Sequence, residues 1–335
     1  MPFTNFPGGA SSFGIPLYGS GSVYDMPWGR VWFVSNSSAI NTASGQTNGD
    51  GTSRDRPMQS LADALARASA SDTIFVGPGH AEPLTASMVF GGTNPAGPNT
   101  GAQVIPTGVR IIGEGVGINR PTFTLTAAAS TFALANANSS LENIRILCPQ
   151  TGTTTNATQV TITAAGCMVR QCQFQGSSSA TALATTCIQL SSAASDALIL
   201  DNTGFTVTGT PTSWLSTTGT AVATRVAIQR NTIRMILSAT TAGIIDLSSG
   251  SVTPGTDWLI ADNNLANLVT SATVLIKAAT GTTGVVAYNN FTGGVTTNLT
   301  TTSINTPGSL ESFQNFVTSP NKWGIPGGGT VAQTS

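Results

Sequence analysis

A short pattern that returns every 26 to 32 residues constrains the fold of this chain more than any other feature. An apolar residue is followed by a position usually filled by asparagine and then by another apolar residue, as in "IQRNTI" (228–233) and "IADNNL" (260–265). The asparagine position is occupied in turn by Ile144, Cys172, Asn202, Asn231, Asn263, Asn289 and Asn315. Short apolar segments such as "VTIT", "CIQL" and "TVLIK" lie between these positions.

A repeat of this length, built from several short strands with no helices between them, predicts a solenoid. Leucine-rich repeats have a similar length but need a leucine-dense consensus, which is absent here. A parallel β-helix fits, with three short strands and three turns per coil and neighbouring coils about 4.8 Å apart. Asn202, Asn231, Asn263 and Asn289 are then expected to form a ladder of hydrogen bonds along the stack.

The composition favours the same fold class and excludes several functions. Charged residues make up 8% of the 335 residues, against about 25% in ordinary soluble domains. Thr-rich and Asn-rich surfaces suit stacked β-structure better than helices. A net charge of −1 with two lysines argues against nucleic-acid binding. The sequence has no apolar run long enough to predict a membrane helix. The first residues lack a signal-peptide pattern, which predicts synthesis in a cytoplasm.

The chain divides into four predicted parts. Residues 1–30 lack periodicity yet are rich in aromatic residues, which predicts an extended arm that docks onto a partner or a sister subunit. The alternative is an arm folded back over its own domain. Residues 31–103 hold the opening strands and a short helix, with Ser60 as its N-cap, that is expected to cap the first open end. Residues 104–316 form the coils, and residues 317–335 form a tail that could cover the last coil. The docking residues predicted in the arm are Phe3, Phe6, Phe13, Tyr18, Tyr24 and Trp28.

Cysteine and histidine give little indication of chemistry. The four cysteines form no C-x-x-C pair, and a single histidine cannot complete a usual zinc set, so free buried thiols and no metal site are expected. A disulfide is the alternative. His80, in "GPGHAEP" (77–83), has no nucleophile elbow nearby, which favours a structural or solvent-facing turn residue over a catalytic base.

Three charged residues are the candidates for catalysis. Asp201, Arg230 and Asp262 each precede a ladder asparagine in successive coils. Stacked, the two carboxylates would lie about 10 Å apart with the arginine between them. One interpretation is an acid and base pair with a substrate-binding arginine. The other is a surface ladder of charges, which is favoured because an arginine between two carboxylates lowers both pKa values.

The opening unit and the asparagine coils resemble the right-handed parallel β-helix, pectate-lyase-like superfamily. "PGHAEP", "GVRIIGEG" (108–115) and "RPTF" (120–123) are similar to segments of β-helix proteins that tailed bacteriophages encode as virion components. The resemblance covers about residues 31–316. It implies an all-β, right-handed solenoid, a turn histidine at position 80 without a catalytic role, and a homo-oligomer, specifically a trimer.

The function expected from the resemblance is structural. The chain is predicted to be a capsid decoration or head-surface protein, anchored to other virion proteins by its arm, without cofactor and without nucleic-acid or membrane partners. The alternative is a tailspike or fibre that binds or cleaves host surface glycans. Aromatic rings on the outer face would favour that alternative, and Trp214 and Trp258 are its candidates. The other interpretation is that each of these rings simply covers a loop. A secreted polysaccharide lyase is a third possibility, disfavoured by the missing signal peptide.

Overall fold

The computed structural model describes most of the predicted coils. The described residues are 10–12, 15–18, 29–37, 49–84, 88–90, 107–148, 156–176, 184–205, 211–218, 223–237, 243–248, 255–267, 275–279, 281–293, 304–305 and 310–318. Within them the chain is all-β apart from one short α-helix and one 3₁₀ turn. Three long parallel sheets run along the molecule and form a β-solenoid, which confirms the predicted all-β parallel solenoid.

Each complete coil contributes one strand to each sheet. Sheet I has ten strands: β3 (Val31–Val34), β4 (Thr73–Val76), β7 (Arg110–Gly113), β10 (Ser140–Glu142), β13 (Met168–Arg170), β16 (Leu198–Leu200), β19 (Ala227–Gln229), β22 (Trp258–Ala261), β25 (Gly284–Ala287) and β28 (Leu310–Phe313). Sheet II has nine: β5 (Ala81–Leu84), β8 (Thr122–Leu125), β11 (Arg145–Leu147), β14 (Gln173–Gln175), β17 (Thr203–Phe205), β20 (Thr232–Met235), β23 (Asn264–Asn267), β26 (Asn290–Gly293) and β29 (Phe316–Thr318). Sheet III has eight: β6 (Met88–Phe90), β9 (Phe132–Leu134), β12 (Asn156–Ile162), β15 (Ala184–Leu190), β18 (Ser213–Thr217), β21 (Ile245–Leu247), β24 (Ile276–Ala278) and β27 (Ile304–Asn305).

The register of the strands aligns like residues from coil to coil. In sheet I, Val169 pairs with Ile199, which pairs with Ile228 and then Ile260. All four side chains are fully buried in one continuous hydrophobic core. Because alternate residues of a strand point to opposite faces, their neighbours in sequence face outward. These four residues form an apolar column that stays in register although the repeats differ in length, because the extra residues lie in the turns.

The turn between sheets I and II has the same conformation in most coils. The residue after the sheet I strand adopts the left-handed region in seven successive coils: Asn143, Gln171, Asp201, Arg230, Asp262, Tyr288 and Gln314, with φ between 51° and 58°. Asparagine and aspartate tolerate this region best among residues other than glycine, whereas tyrosine and arginine are unusual there. The shared backbone conformation stacks these seven side chains along one edge of sheet I.

The helix lies beside the first strands of the solenoid. α1 (Leu61–Arg67) begins after Ser60, whose hydroxyl accepts a hydrogen bond from the Asp63 N–H at 3.1 Å. Leu61, Ala64 and Leu65 are buried in the hydrophobic core. The predicted Ser60 N-cap is therefore confirmed, because its side chain satisfies one of the free N–H groups of the first turn.

The N-terminal arm differs from the expectation of a segment without strands. β1 (Ala10–Ser12) and β2 (Ile15–Tyr18) pair antiparallel in a short hairpin. Alternation of apolar residues over only four positions, as in "IPLY", is too short to stand out in the sequence. The other predicted docking residues, Phe3, Phe6, Phe13, Tyr24 and Trp28, lie outside the described residues, as does most of the 317–335 tail.

Candidate functional site

The repeated asparagines form a hydrogen-bonded column inside the turn between sheets I and II. The Asn231 Oδ1 accepts the backbone N–H of Asn202 at 2.9 Å and its Nδ2 at 3.0 Å. The Asn231 Nδ2 in turn donates to the Ile199 carbonyl and to Asn263 Oδ1, both at 2.9 Å. The same pattern continues through Asn263, Asn289 and Asn315. Each buried amide therefore satisfies the turn of the neighbouring coil, which assigns these residues to the fold rather than to a reaction.

Cys172 occupies the equivalent position in the coil before the first asparagine of this column. Its backbone N–H donates to Asn202 Oδ1 at 2.9 Å, and its Sγ lies 3.4 Å from the Leu141 carbonyl. Burial raises the pKa of this thiol to about 12. The thiol therefore stays protonated under physiological conditions, which is unfavourable for nucleophilic chemistry.

Asp201, Arg230 and Asp262, the first charged column, stack on the outside of the same turn. Arg230 is half-exposed and reaches back to Asp201 with two hydrogen bonds, Nε to Oδ1 at 2.7 Å and Nη2 to Oδ2 at 3.1 Å. This pair raises the pKa of Arg230, with a smaller contribution from the charge of Asp262. Arg230 therefore contacts one carboxylate directly instead of lying midway between two.

A second charged column, which the sequence analysis did not identify, lies at the opposite edge of sheet I. It contains Asp196, Arg225 and Asp257, each five residues before its counterpart in the first column. Arg225 donates to Asp196 from Nε at 2.7 Å and from Nη2 at 2.8 Å. All three residues also have φ between 55° and 60°. The constant offset of five was the signal in the sequence that could have revealed this column.

The two columns have the geometry of ion-pair ladders. A general acid near neutral pH needs a raised pKa, whereas the hydrogen bonds from Arg225 lower the pKa of Asp196. Asp201 is held by Arg230 in the same bidentate way. Such bidentate pairs fix both side chains in one orientation. The geometry therefore favours the ladder interpretation over an acid and base pair.

Other carboxylates near arginines are also engaged in structural contacts. Glu142 is buried on the outer face of sheet I and accepts hydrogen bonds from Arg110, from Arg170 at 2.7 Å and from Ser140 at 2.9 Å. These bonds join β7, β10 and β13. Hydrogen bonds from two arginines to one carboxylate are strong, so Glu142 is suited to holding strands together.

His80 is a buried structural residue. Its Nδ1 accepts the backbone N–H of Asn36 at 3.1 Å, which leaves Nε2 as the donor to Glu82 Oε2 at 2.9 Å. The same Glu82 oxygen accepts the N–H of Leu61 at 2.9 Å. The histidine side chain is fully buried, so the solvent-facing alternative is wrong. The Nδ1 contact holds the turn to Asn36, after β3, and the Nε2 contact reaches the start of α1 through Glu82.

The tryptophans proposed for stacking on glycans are in the interior. Trp214 and Trp258 are both buried, and Trp258 Nε1 donates to the Ala223 carbonyl at 2.9 Å. These two candidates of the tailspike alternative therefore cannot stack on glycans, because both rings fill the core. Among the described residues, the exposed aromatic rings are Tyr288 and Phe313, which contact each other edge to face at 5.6 Å, together with Phe205 and Phe316.

The described residues hold no group of three or more histidine, cysteine, aspartate or glutamate side chains arranged for a metal ion. The four cysteines, all described, are buried thiols without disulfide bonds. No helix in the described part is long and apolar enough to span a membrane.

Comparison with family models, curated protein sequences and solved structures found no match.

Proposed function

We propose that this chain is a structural protein of a tailed-bacteriophage particle, displayed on the capsid surface and held there by residues 1–30. It would be synthesised in the cytoplasm of the bacterial host and end in the virion. The proposal is supported by the sequence resemblance described above and by the β-solenoid, a fold that also carries unrelated functions. No cofactor is required.

The observation that carries the proposal is how the charged groups are used. Two arginines of the charged columns each hold one aspartate in a bidentate pair, and Glu142 is held by Arg110 and Arg170. His80 and Glu82 are occupied in fixing α1. The charged groups named here are therefore engaged in contacts that stabilise the fold, as expected of a scaffold.

Two finer features of the fold belong to the proposal. The solenoid is right-handed, because parallel strands joined by crossover connections take this hand in nearly all proteins. Helix α1 caps the first end, since its Leu61, Ala64 and Leu65 extend the core beyond the first coil and an open sheet edge invites aggregation. The homo-oligomer, with a trimer implied by the resemblance, and the virion partners remain predictions.

A binding experiment on particles tests the anchoring role. Particles lacking this protein would be mixed with the purified full chain or with a variant carrying Phe3→Ser, Phe6→Ser and Phe13→Ser. We expect the wild-type chain to sediment with particles and the triple variant to lose at least about tenfold in affinity, because aromatic anchors dominate such contacts. Phe205→Ser, at an exposed ring on sheet II, is the control. Equal binding by all three proteins would contradict the proposal.

A glycan-binding tailspike is the second candidate, and one observation favours it. Tyr288 and Phe313 present an exposed pair of aromatic rings at the last coils, and such rings can stack on saccharides. The test is depolymerisation of host polysaccharide by wild type and by the Asp201→Asn, Asp262→Asn variant. Cleavage by the wild type that is lost in a folded variant would establish the enzyme and contradict the structural proposal.

A further inference from the structure

The outer face of sheet I carries an apolar strip between the two charged columns. The strip consists of Met168, Leu198, Leu200, Leu259 and Val285, which flank inward-pointing residues of β13, β16, β22 and β25. Leu198 is 39% exposed, and the other four are partly exposed. Aliphatic residues on a face that is bordered by charges on both sides are typical of an interaction surface.

The charges beside the strip alternate from coil to coil. At both edges β16 is flanked by aspartates, β19 by arginines and β22 by aspartates again. The arginines pair with Asp196 and Asp201. Asp257 and Asp262 are exposed and form no ion pair within the described part of the chain. Each copy thus presents two carboxylates next to two arginines, one coil apart.

We propose that a second copy of this chain packs face to face on the apolar strip, related by a two-fold axis that runs parallel to the strands between β19 and β22. This axis places Arg225 opposite Asp257 of the second copy and Arg230 opposite Asp262 of the second copy. Because the contact is two-fold, each interaction occurs twice. Four ion pairs would border the apolar centre of the interface.

Most of the residues further from the axis are also complementary, while Met168 lies opposite the exposed Glu311 of the second copy. β16 faces β25 of the second copy, so Leu198 lies opposite Val285 and Leu200 opposite Ala287. β13 faces β28, which sets Arg170 against the exposed ring of Phe313, a favourable pairing of a guanidinium with an aromatic face. In the turn column, Asp201 lies opposite the Tyr288 hydroxyl. No pair in this arrangement brings like charges together.

The orientation with the two-fold axis parallel to the solenoid axis is disfavoured by the same charges. Each coil would then face the same coil of the second copy, and each charged column would face the other charged column. Asp196 would oppose Asp201, and Arg225 would oppose Arg230. Like charges placed directly opposite suppress an association. The charge pattern therefore selects antiparallel solenoid axes.

Charge exchange between two variants tests the interface. One variant carries Arg225→Glu and Arg230→Glu, and the other carries Asp257→Lys and Asp262→Lys. Mass would be measured by light scattering or sedimentation. We expect a wild-type dimer, monomers for each variant alone with association weakened at least about tenfold, and a restored dimer in the equimolar mixture. Arg234→Glu, at an exposed position of sheet II, is the control and is expected to leave the dimer intact.

Several results would overturn the proposal, which does not depend on where the protein acts. The two-fold dimer competes with the trimer that the resemblance implies, so a wild-type trimer would overturn it, as would a wild-type monomer. Variants that keep the wild-type mass, or folded variants that fail to pair on mixing, would also overturn it. Circular dichroism would report folding. If a double variant does not fold, Leu198→Glu replaces it, because this exposed position tolerates a charge in the monomer and is expected to abolish the dimer. A dimer unaffected by Leu198→Glu would contradict the interface.

Discussion

The asparagine positions show how a single residue type organises this fold. Their regular spacing predicted the ladder, because stacked coils place equivalent positions of successive repeats next to each other. The side chains lie where that expectation put them, with each amide bonded to the next coil. The second charged column was missed because Asp196, Arg225 and Asp257 precede short strands without a distinctive neighbour. Their conformation depends on the turn, which residue type alone does not determine.

Removing one ladder amide should destabilise the protein strongly. Asn231→Ala deletes the acceptor of the Asn202 N–H and Nδ2 and the donor to the Ile199 carbonyl. Buried polar groups left without partners cost about 1–3 kcal/mol each, so we expect a loss of at least about 3 kcal/mol in unfolding free energy by urea denaturation. Asn264→Ala, at an exposed position on sheet II, is the control. Equal effects of the two substitutions would contradict the role of the ladder.

Extending the ladder should stabilise the protein. Cys172→Asn places an amide where the thiol now contacts the Leu141 carbonyl, and it can bond to Asn202 Oδ1 as the other ladder residues do. One or two added hydrogen bonds predict a gain of about 1 kcal/mol over Cys172→Ala. Thermal unfolding at neutral pH would measure it. No gain over the alanine variant would show that the column needs a smaller residue at this coil.

The raised thiol pKa predicts an alkaline effect at the same position. The folded pKa of Cys172, about 12, lies above its ordinary value of 9.0. Its contribution to stability is therefore complete below about pH 9 and is lost as the pH rises towards 12, because only the unfolded chain releases the proton easily. The wild type should lose more unfolding free energy than Cys172→Ala between pH 8 and about pH 10.5. Parallel losses in the two proteins would contradict this assignment.

At the scale of elements, α1 and the long turn of the first coils are held by side chains distant in sequence. Helix formation and the N-cap were predictable from a local pattern. The contact of Glu82 with both His80 and Leu61 was not, because it joins residues through the tertiary fold. The turn at 114–121 is likewise fixed from outside, since Asn143 Nδ2 donates to the Gly113 carbonyl at 2.8 Å and to the Gly115 carbonyl at 2.9 Å.

Glu82 should matter more for the helix than its N-cap does. Glu82→Ala leaves the His80 Nε2–H and the Leu61 N–H without their partner, which predicts a loss of about 2–3 kcal/mol. Ser60→Ala should cost about 1 kcal/mol. Chemical denaturation followed by circular dichroism would rank the two. Glu311→Ala, at an exposed acid of β28, is the control, and an effect of Glu82→Ala no larger than this control would contradict the account.

Two glycines in the long turn provide a matched pair. Gly115 has a φ of 96°, and a Cβ there would lie 2.6 Å from the Asn119 carbonyl oxygen; Gly117 has a φ of 59° and open space around it. Gly117→Ala should cost about 1 kcal/mol, the usual penalty for the left-handed region, and Gly115→Ala should cost more. Thermal unfolding would compare them. Equal losses would show that the backbone shifts to accept the methyl group.

On the scale of the whole molecule, the sequence predicted the all-β parallel solenoid because each sequence repeat corresponds to one coil. It left open whether Trp214 and Trp258 stack on glycans or cover a loop, whereas both lie in the core. Strand alternation over three residues does not show which face a large ring takes when neighbouring turns vary in length. The hairpin of β1 and β2 was missed for a similar reason, since so few residues carry little periodicity.

The most direct test of the proposed function is cryo-electron microscopy of intact particles of the bacteriophage that, under this proposal, encodes the chain. The structural account predicts many symmetry-related copies of the solenoid on the head surface, with residues 1–30 in contact with the shell. A few copies at the tail tip, or no copies on the particle, would contradict it.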